Sequence, residues 1–339
     1  MPAQPPPAGQ LPTGQRLLPV PRHAQFSDPD FYIWGASMTR TPDGTCHLLY
    51  ARWPRSAGHD AWVTESEIAH ATADDPLGPY THQSVVLPAR GNDHWDARCT
   101  HNPTVCHFND QYFLYYMGTF GDDLPDPRDK YWDHRNHQRI GVAVADHPAG
   151  PWQRFDQPLI NCTPGTHAGM CCANPSVTQR PDGSFLMIYK AVGDQNPPPK
   201  FGPVVHLAAL ADSPTGPFMT LPDPIFTAEN SDFPAEDPFI WVQDGTYHAI
   251  VKDMNGSFTP HGMALVAFTS PDGLNWSPAD EPFLTTPQIT WTDGQTQTLG
   301  HLERPQLYLE DGQPKVLFCA ADDTHPDRPH SFNLHIPLG

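Results

Sequence analysis

Residues 235–253, AEDPFIWVQDGTYHAIVKD, place two short runs rich in aromatic and β-branched residues on either side of the dipeptide Asp244-Gly245. Such a pair between such runs predicts a β-hairpin, because the central residues of the tight turn need positive φ. The pattern recurs at Asp43-Gly44, Asn109-Asp110, Asp182-Gly183 and Asp311-Gly312, at intervals of 66, 73, 62 and 67 residues along the chain. The runs before those turns are WGASMTR, HNPTVCHF, ANPSVTQR and ERPQLYLE; those after are CHLLYARW, QYFLYYMG, SFLMIYKA and KVLFCAAD. A second motif keeps the same period: DDPLGPY at 74–80, ADHPAGPW at 145–152, ADSPTGPF at 211–218 and the variant TSPDGLNW at 269–276. Further strand-like runs, such as RIGVAVA and VVHLAALA, come just before it. Each unit thus predicts about four strands, with the motif's aromatic residue packing between neighbours. Five units stacked radially make an all-β fold, a five-bladed β-propeller with four-stranded antiparallel blades. A β-sandwich imposes no common period on two separate turn motifs. The propeller is assigned to 28–339 as one catalytic domain, and the proline-rich stretch 1–27 to a flexible leader.

The composition narrows the partners. Forty-two prolines and 25 glycines favour turns over long helices, and 19 basic against 38 acidic residues give a formal charge of −19. Such a surface repels phosphate backbones and anionic lipid, which argues against nucleic-acid and membrane partners and favours a neutral substrate. No apolar run is long enough to span a bilayer. The opening MPAQPPPAGQLPTGQ has neither the basic start nor the apolar core of a signal peptide, so the compartment stays open. The seven cysteines form no CxxC pair and read as small buried hydrophobes, with one bridge left open. No nucleotide-binding loop and no HExxH pattern occurs among the 19 histidines. No cofactor is expected. A structural divalent cation in the central channel is retained as an option, with His101 and His301 near it.

In a propeller the inner strands begin around one mouth of the channel. The dipeptides at those starts are Trp34-Gly35, His101-Asn102, Ala173-Asn174, Glu236-Asp237 and Glu303-Arg304, and proline follows the last four. Proline biases the preceding residue toward extended conformations, which is expected to hold each polar side chain in one direction. Asn102 and Asn174 read equally well as strand-starting turn caps. Three carboxylates, Glu236, Asp237 and Glu303, gathered at one mouth repel one another and invite a use. Trp34, Trp62, Trp95 and Trp241 are candidates to offer a flat face to a ligand, although core packing is the commoner fate of a tryptophan. Lys190 and Lys252 end equivalent hairpins, and Arg135, Arg139 or Arg304 in the pocket would favour an acidic ligand.

The x-Asx-Pro-hydrophobic starts, Asp-Gly hairpins and S-P-x-G-P-aromatic blade ends together resemble the five-bladed glycoside hydrolases of family 43. They are similar also to its relative family 117, which removes terminal 3,6-anhydro-L-galactose from agar-derived oligosaccharides. The likeness spans about residues 28–323. It implies an exo-acting, inverting glycosidase that works on plant or algal oligosaccharides with a carboxylate acid–base pair. Family 43 places a general-base Asp before the first inner strand and a pKa-tuning Asp before the third. Those positions here are Gly35 and Asn174. The family's acid in the fourth blade is matched by Glu236-Asp237, so Glu236 is the expected acid, with its pKa raised by Asp237. The base is then Asp96, beside Trp95, or Glu303. Asp96 paired with Arg98 as an ordinary loop residue is the plainer alternative. His101, Asn102, Asn174, Arg304, Trp34, Trp95, Lys190 and Lys252 are the expected sugar contacts. A non-catalytic carbohydrate-binding propeller and a glycoside phosphorylase are the competing functions.

Overall fold

The computed structural model describes residues 9–229, 231–324 and 330–339. Five four-stranded antiparallel sheets stand around one axis, their inner strands packed against one another. Blade one runs Phe31–Arg40, Cys46–Pro54, Glu67–Ala73 and Thr81–Leu87; blade two runs Cys99–Phe108, Gln111–Thr119, Gln138–Ala145 and Gln153–Arg154. Blade three runs Cys171–Gln179, Phe185–Val192, Val204–Ala211 and Met219–Thr220; blade four runs Ala235–Gln243, Thr246–Asp253, Ala264–Ser270 and Ser277–Thr285. Blade five takes His301–Glu310, Gln313–Asp322 and Ser331–Pro337 from the end of the chain, and its outer strand Gln25–Phe26 from the beginning.

The turns explain the regular spacing. In blades two, four and five both central turn residues have positive φ, at Asn109-Asp110, Asp244-Gly245 and Asp311-Gly312. This twist suits a two-residue hairpin. In blades one and three the longer turns are held by Asp43 and Asp182, whose carboxylates accept the backbone N–H of Thr45 and Ser184. The proline-glycine-proline motifs lie between the third and fourth strands rather than at blade ends: Tyr80 of blade one packs in one cluster with Val316 and Phe318 of blade five, and Phe218 of blade three packs with Phe113 and Tyr115 of blade two. No helix among the described residues is long and apolar enough to cross a membrane. The segment Pro127–Asn136 is a helix. Pro127 stands in its first turn, and the Asp126 carboxylate accepts from the backbone N–H of Arg128 and Asp129.

The boundary drawn at residue 28 leaves out a part of blade five. Gln25 and Phe26 pair with Leu334 and Asn333, and Leu11, Val20 and Ala24 are buried in the cluster shared by blades four and five. The first and last strands therefore lock the ring shut. Fully burying Leu11 and Val20 contributes roughly 1.5–3 kcal/mol each, a sizeable share of a typical total of ~5–15 kcal/mol. Deleting residues 1–27 is expected to lower the urea midpoint by a corresponding amount. An unchanged midpoint would mark the segment as a tail after all.

Candidate active site

Each inner strand carries a β-bulge at the same level. Pairing slips between Trp34 and Ala36, His101 and Thr104, Ala173 and Ser176, Glu236 and Phe239, and Glu303 and Gln306. The second residue of each dipeptide has positive φ: Gly35 at 25°, Asn102 at 51°, Asn174 at 54°, Asp237 at 55° and Arg304 at 54°. The residues before proline are thus left-handed, not extended. The bulge inserts one extra residue, and ladder pairing on both sides of it forces the unusual φ.

These residues close a ring across the channel. Asn102 Nδ2 donates to Asn174 Oδ1 at 2.8 Å, and Asn174 Nδ2 donates to Asp237 Oδ1 at 2.5 Å. The Arg304 backbone N–H donates to Asp237 Oδ2 at 3.2 Å, and its Nη2 donates to the Asn102 carbonyl at 3.3 Å. Gly35 completes the circle by having no side chain. A Cβ there would lie 2.8 Å from Asn102 Oδ1 and 3.6 Å from Arg304 Nε. The ring is the floor of a pocket of about 150 Å³ whose walls include Trp34, Trp53, His59, Trp62 and His101. His101 is stacked on Trp62, and its Nδ1 is 2.7 Å from Ser66 Oγ. Burial, then the Arg304 charge, holds it well below the usual histidine range, so it is neutral.

The three carboxylates each meet a cation. Lys190 Nζ of blade three donates to Glu236 Oε1 of blade four at 2.7 Å, and Lys252 of blade four donates to Glu303 of blade five. Asp237 lies 3.7 Å from Arg304 Nη1. Oxygens of Glu236, Asp237 and Glu303 come within 4.8 Å of one another. Burial pushes Glu236 up, but Lys190 and then Lys252 outweigh it and hold the carboxyl down at about 2. Burial and then the Glu236 charge push Asp237 up to about 7, against Arg304. The expected direction for Glu236 is therefore reversed: it is the ionised member, and Asp237 bears the cost of having it as a neighbour. At the rim, two residues before Glu303 on the same strand face, His301 is bonded through Nδ1 to the buried Asp322 carboxylate at 2.9 Å. That bond is the main cause that raises the His301 pKa, with burial opposing it.

The pocket brings together Trp34, His101, Asn102, Asn174, Lys190, Glu236, Asp237, Glu303 and Arg304, with Lys252 behind Glu303. Asp96 and Trp95 are elsewhere. Asp96 is fully buried, bonded to Arg90 Nε at 2.5 Å, Tyr116 Oη at 2.9 Å and Arg154 Nη1 at 3.2 Å, while Arg98 pairs with Asp123. The Asp96 carboxylate is locked inside blade two and has no path to a substrate at the mouth. Trp95 fills the space that Gly118 and Gly141 leave by lacking Cβ atoms. Trp241 is buried farther along its inner strand, stacked on His248 and beside a second cavity at the opposite end of the channel. Arg135 and Arg139 bond to Lys200 O and Asn161 and do not line the pocket. A larger cleft of about 870 Å³ lies beside Trp95, Arg98 and Arg139, away from the axial carboxylates. Trp53, His59 and Asp322 carry no sequence signal of a pocket role, because they come from a connecting segment and second strands with no inner-strand motif, whereas His301 lies on the inner strand and reads from sequence only as a neighbour of a channel cation.

The sequence matches no protein-family model and no curated protein sequence. Solved structures do match. A family 117 glycoside hydrolase of the marine bacterium Zobellia galactanivorans superposes with a TM-score of 0.65 at 16% identity, over 97% of this chain and 92% of that one. A family 43 β-xylosidase/α-arabinofuranosidase from a compost metagenome, solved with xylotriose, gives 0.59 at 15% identity over 94% and 95%. An exo-β-1,3-galactanase from Phanerochaete chrysosporium, solved with β-1,3-galactotriose, gives 0.57 at 14% identity over 96% of this chain and 65% of the other. The likeness is one of fold. The axial residues do not fit a divalent cation of the kind considered above, since a guanidinium crosses the floor and each nearby carboxylate already has a cationic partner.

Glu236 stabilises the fold above the ordinary carboxylate pKa of 4.5, and that contribution is lost as pH falls toward about 2. In Lys190→Met the burial stays while the nearest cation goes. The Glu236 carboxyl should then titrate higher than in wild type, and Lys190→Arg should keep it low. Carboxyl-detected NMR titration reads this, and an unmoved Glu236 in the methionine variant would contradict the pairing.

Proposed function

We propose that this chain is an exo-acting glycosidase that receives the terminal sugar of an oligosaccharide in the axial pocket. The observation that carries the reading is the closed floor beneath carboxylates that are paired with lysines. The ring from Asn102 to Arg304 ends the channel, so a chain end enters and a chain middle does not. Trp34 and Trp62 offer flat faces, and the Lys190–Glu236 and Lys252–Glu303 pairs offer charged hydrogen-bonding groups to hydroxyls. The oligosaccharides bound by propellers of the same fold accord with this substrate class.

Hydrolysis needs a proton for the leaving oxygen and a carboxylate to take one from water. Glu236 is suited to the second role, because Lys190 keeps it ionised. His301 is suited to the first, because Asp322 favours its protonated form at an accessible rim. The imidazolium gives its proton to the glycosidic oxygen, the C–O bond breaks, and water adds to the anomeric carbon as its proton passes to Glu236. Inversion requires carboxyl groups roughly 6.5–9.5 Å apart to admit that water. The carboxylate trio gathers within 4.8 Å, so an inverting course calls for a donor outside it, as His301 is. Glu303 would orient the sugar beside Lys252.

Wild type should release monosaccharide from one end of plant or algal oligosaccharides, independently of added phosphate. Glu236→Gln should lower kcat on every substrate by on the order of 10²–10⁴. His301→Asn should do so on natural linkages and far less on aryl glycosides with good leaving groups, and NMR of fresh product should show the inverted anomer. Saturable sugar binding with no release from any member of the panel would replace the glycosidase with a binding propeller. Phosphate-dependent release of a sugar phosphate would replace it with a phosphorylase.

A further inference from the structure

A pair of thiols outside the axial pocket is placed for covalent chemistry. Cys162 Sγ, midway along the loop 155–170 that leads from blade two into blade three, is 3.8 Å from Cys172 Sγ on the first strand of blade three. The other cysteines of the chain make no such contact with a second sulfur among the described residues. Cys172 is fully buried and Cys162 is partly exposed, so one thiol is reachable from solvent and the other only through it. Cys171, next in sequence, pairs with Val192 and projects to the opposite face of the strand.

The loop ends are held together independently of the sulfurs. Arg139 donates from Nε to Asn161 Oδ1 at 2.7 Å and from Nη1 to the Met170 carbonyl at 3.3 Å. Within the loop, the Thr163 N–H donates to the Ala168 carbonyl at 3.0 Å, and the Gly165 N–H to the Asp194 carboxylate at 2.8 Å. These contacts bring the two sulfurs to 3.8 Å, and a disulfide between them closes that gap to about 2.05 Å. The Cys172 thiol donating to Cys162 is the main cause that lowers the Cys162 pKa, and Arg139 adds to it, with burial opposing. This favours Cys162 as the attacking group.

We propose that Cys162 and Cys172 are a thiol–disulfide exchange site that closes into a crosslink with an oxidised low-molecular-weight disulfide. The Cys162 thiolate attacks one sulfur of the small disulfide, breaks its S–S bond and expels one thiol. Cys172 loses its proton and attacks Cys162 Sγ, which expels the second thiol and forms the internal bond. Two protein thiols are oxidised, one external disulfide is reduced, and two small thiols leave. The crosslink pins the loop 163–171, two residues before Asn174 of the pocket floor, and touches no residue of the pocket itself.

The full chain, incubated with excess oxidised glutathione, quenched with an alkylating agent, unfolded and digested, tests this by mass spectrometry. The expected product joins the peptides of Cys162 and Cys172, with five of the seven cysteines still alkylated. Cys172→Ser should stop at a glutathione adduct on Cys162, and Cys162→Ser should leave Cys172 reduced. The half-exposed Cys162→Ser variant keeps the buried residue and so guards against a loss of folding. Oxidised wild type should melt a few degrees higher than reduced protein, with reversal by dithiothreitol. Seven alkylated cysteines after oxidation, a stable adduct in wild type, or a bridge through Cys171 or Cys106 would overturn the proposal.

Discussion

The structure depends on one backbone event repeated five times, the bulge that turns a residue of each inner strand into the channel. A left-handed conformation costs a non-glycine residue about 1–3 kcal/mol, and Asn102, Asn174, Asp237 and Arg304 all adopt it. What compensates is the ring those side chains make with one another. The Asn102 amide donates to Asn174, the Asn174 amide donates to Asp237, and Asp237 accepts from the Arg304 backbone N–H, so the strain in one blade is held by contacts from the next. Asn102 Oδ1 is left without a hydrogen bond. Gly35 is the exception that permits the rest, since the room it leaves is taken by Asn102 Oδ1, with the Arg304 side chain in contact beside it.

Above this floor the charges follow the same blade-to-blade logic. A lysine on the second strand of one blade reaches the glutamate on the first strand of the next, twice in succession: Lys190 to Glu236, then Lys252 to Glu303. Burying a charge is costly unless it is paired. The pairing with Lys190 therefore lets Glu236 remain ionised although it is largely removed from water. The same pairing makes Glu236 a poor proton donor, which is why that task falls to His301 in the proposed function.

Much of this is legible in the sequence because it is local. The turn residues Asn109-Asp110 and Asp244-Gly245 announce the hairpins, and their even spacing gives the five blades. Glu236, Glu303, Lys190 and Lys252 stand at equivalent places in the repeat, which brings them to one mouth. What escapes is decided between distant segments. Asp96 is absorbed by Arg90 and by Arg154, 58 residues away, and Trp95 by two glycines on neighbouring strands. The strand at Gln25–Phe26 has no pattern of its own and exists because the final strand offers it an edge. The left-handed residues before proline run against local preference and are set by the ring.

The claim on which the account turns is that the axial pocket takes a chain end. A crystal structure of Glu236→Gln with an oligosaccharide bound tests it most directly. The account predicts a single terminal ring seated on the floor formed by Asn102, Asn174, Asp237 and Arg304, with the rest of the chain leaving past Trp62 and His301. A ligand lying in the large cleft beside Arg98 and Arg139, with the axial pocket unchanged, would contradict it.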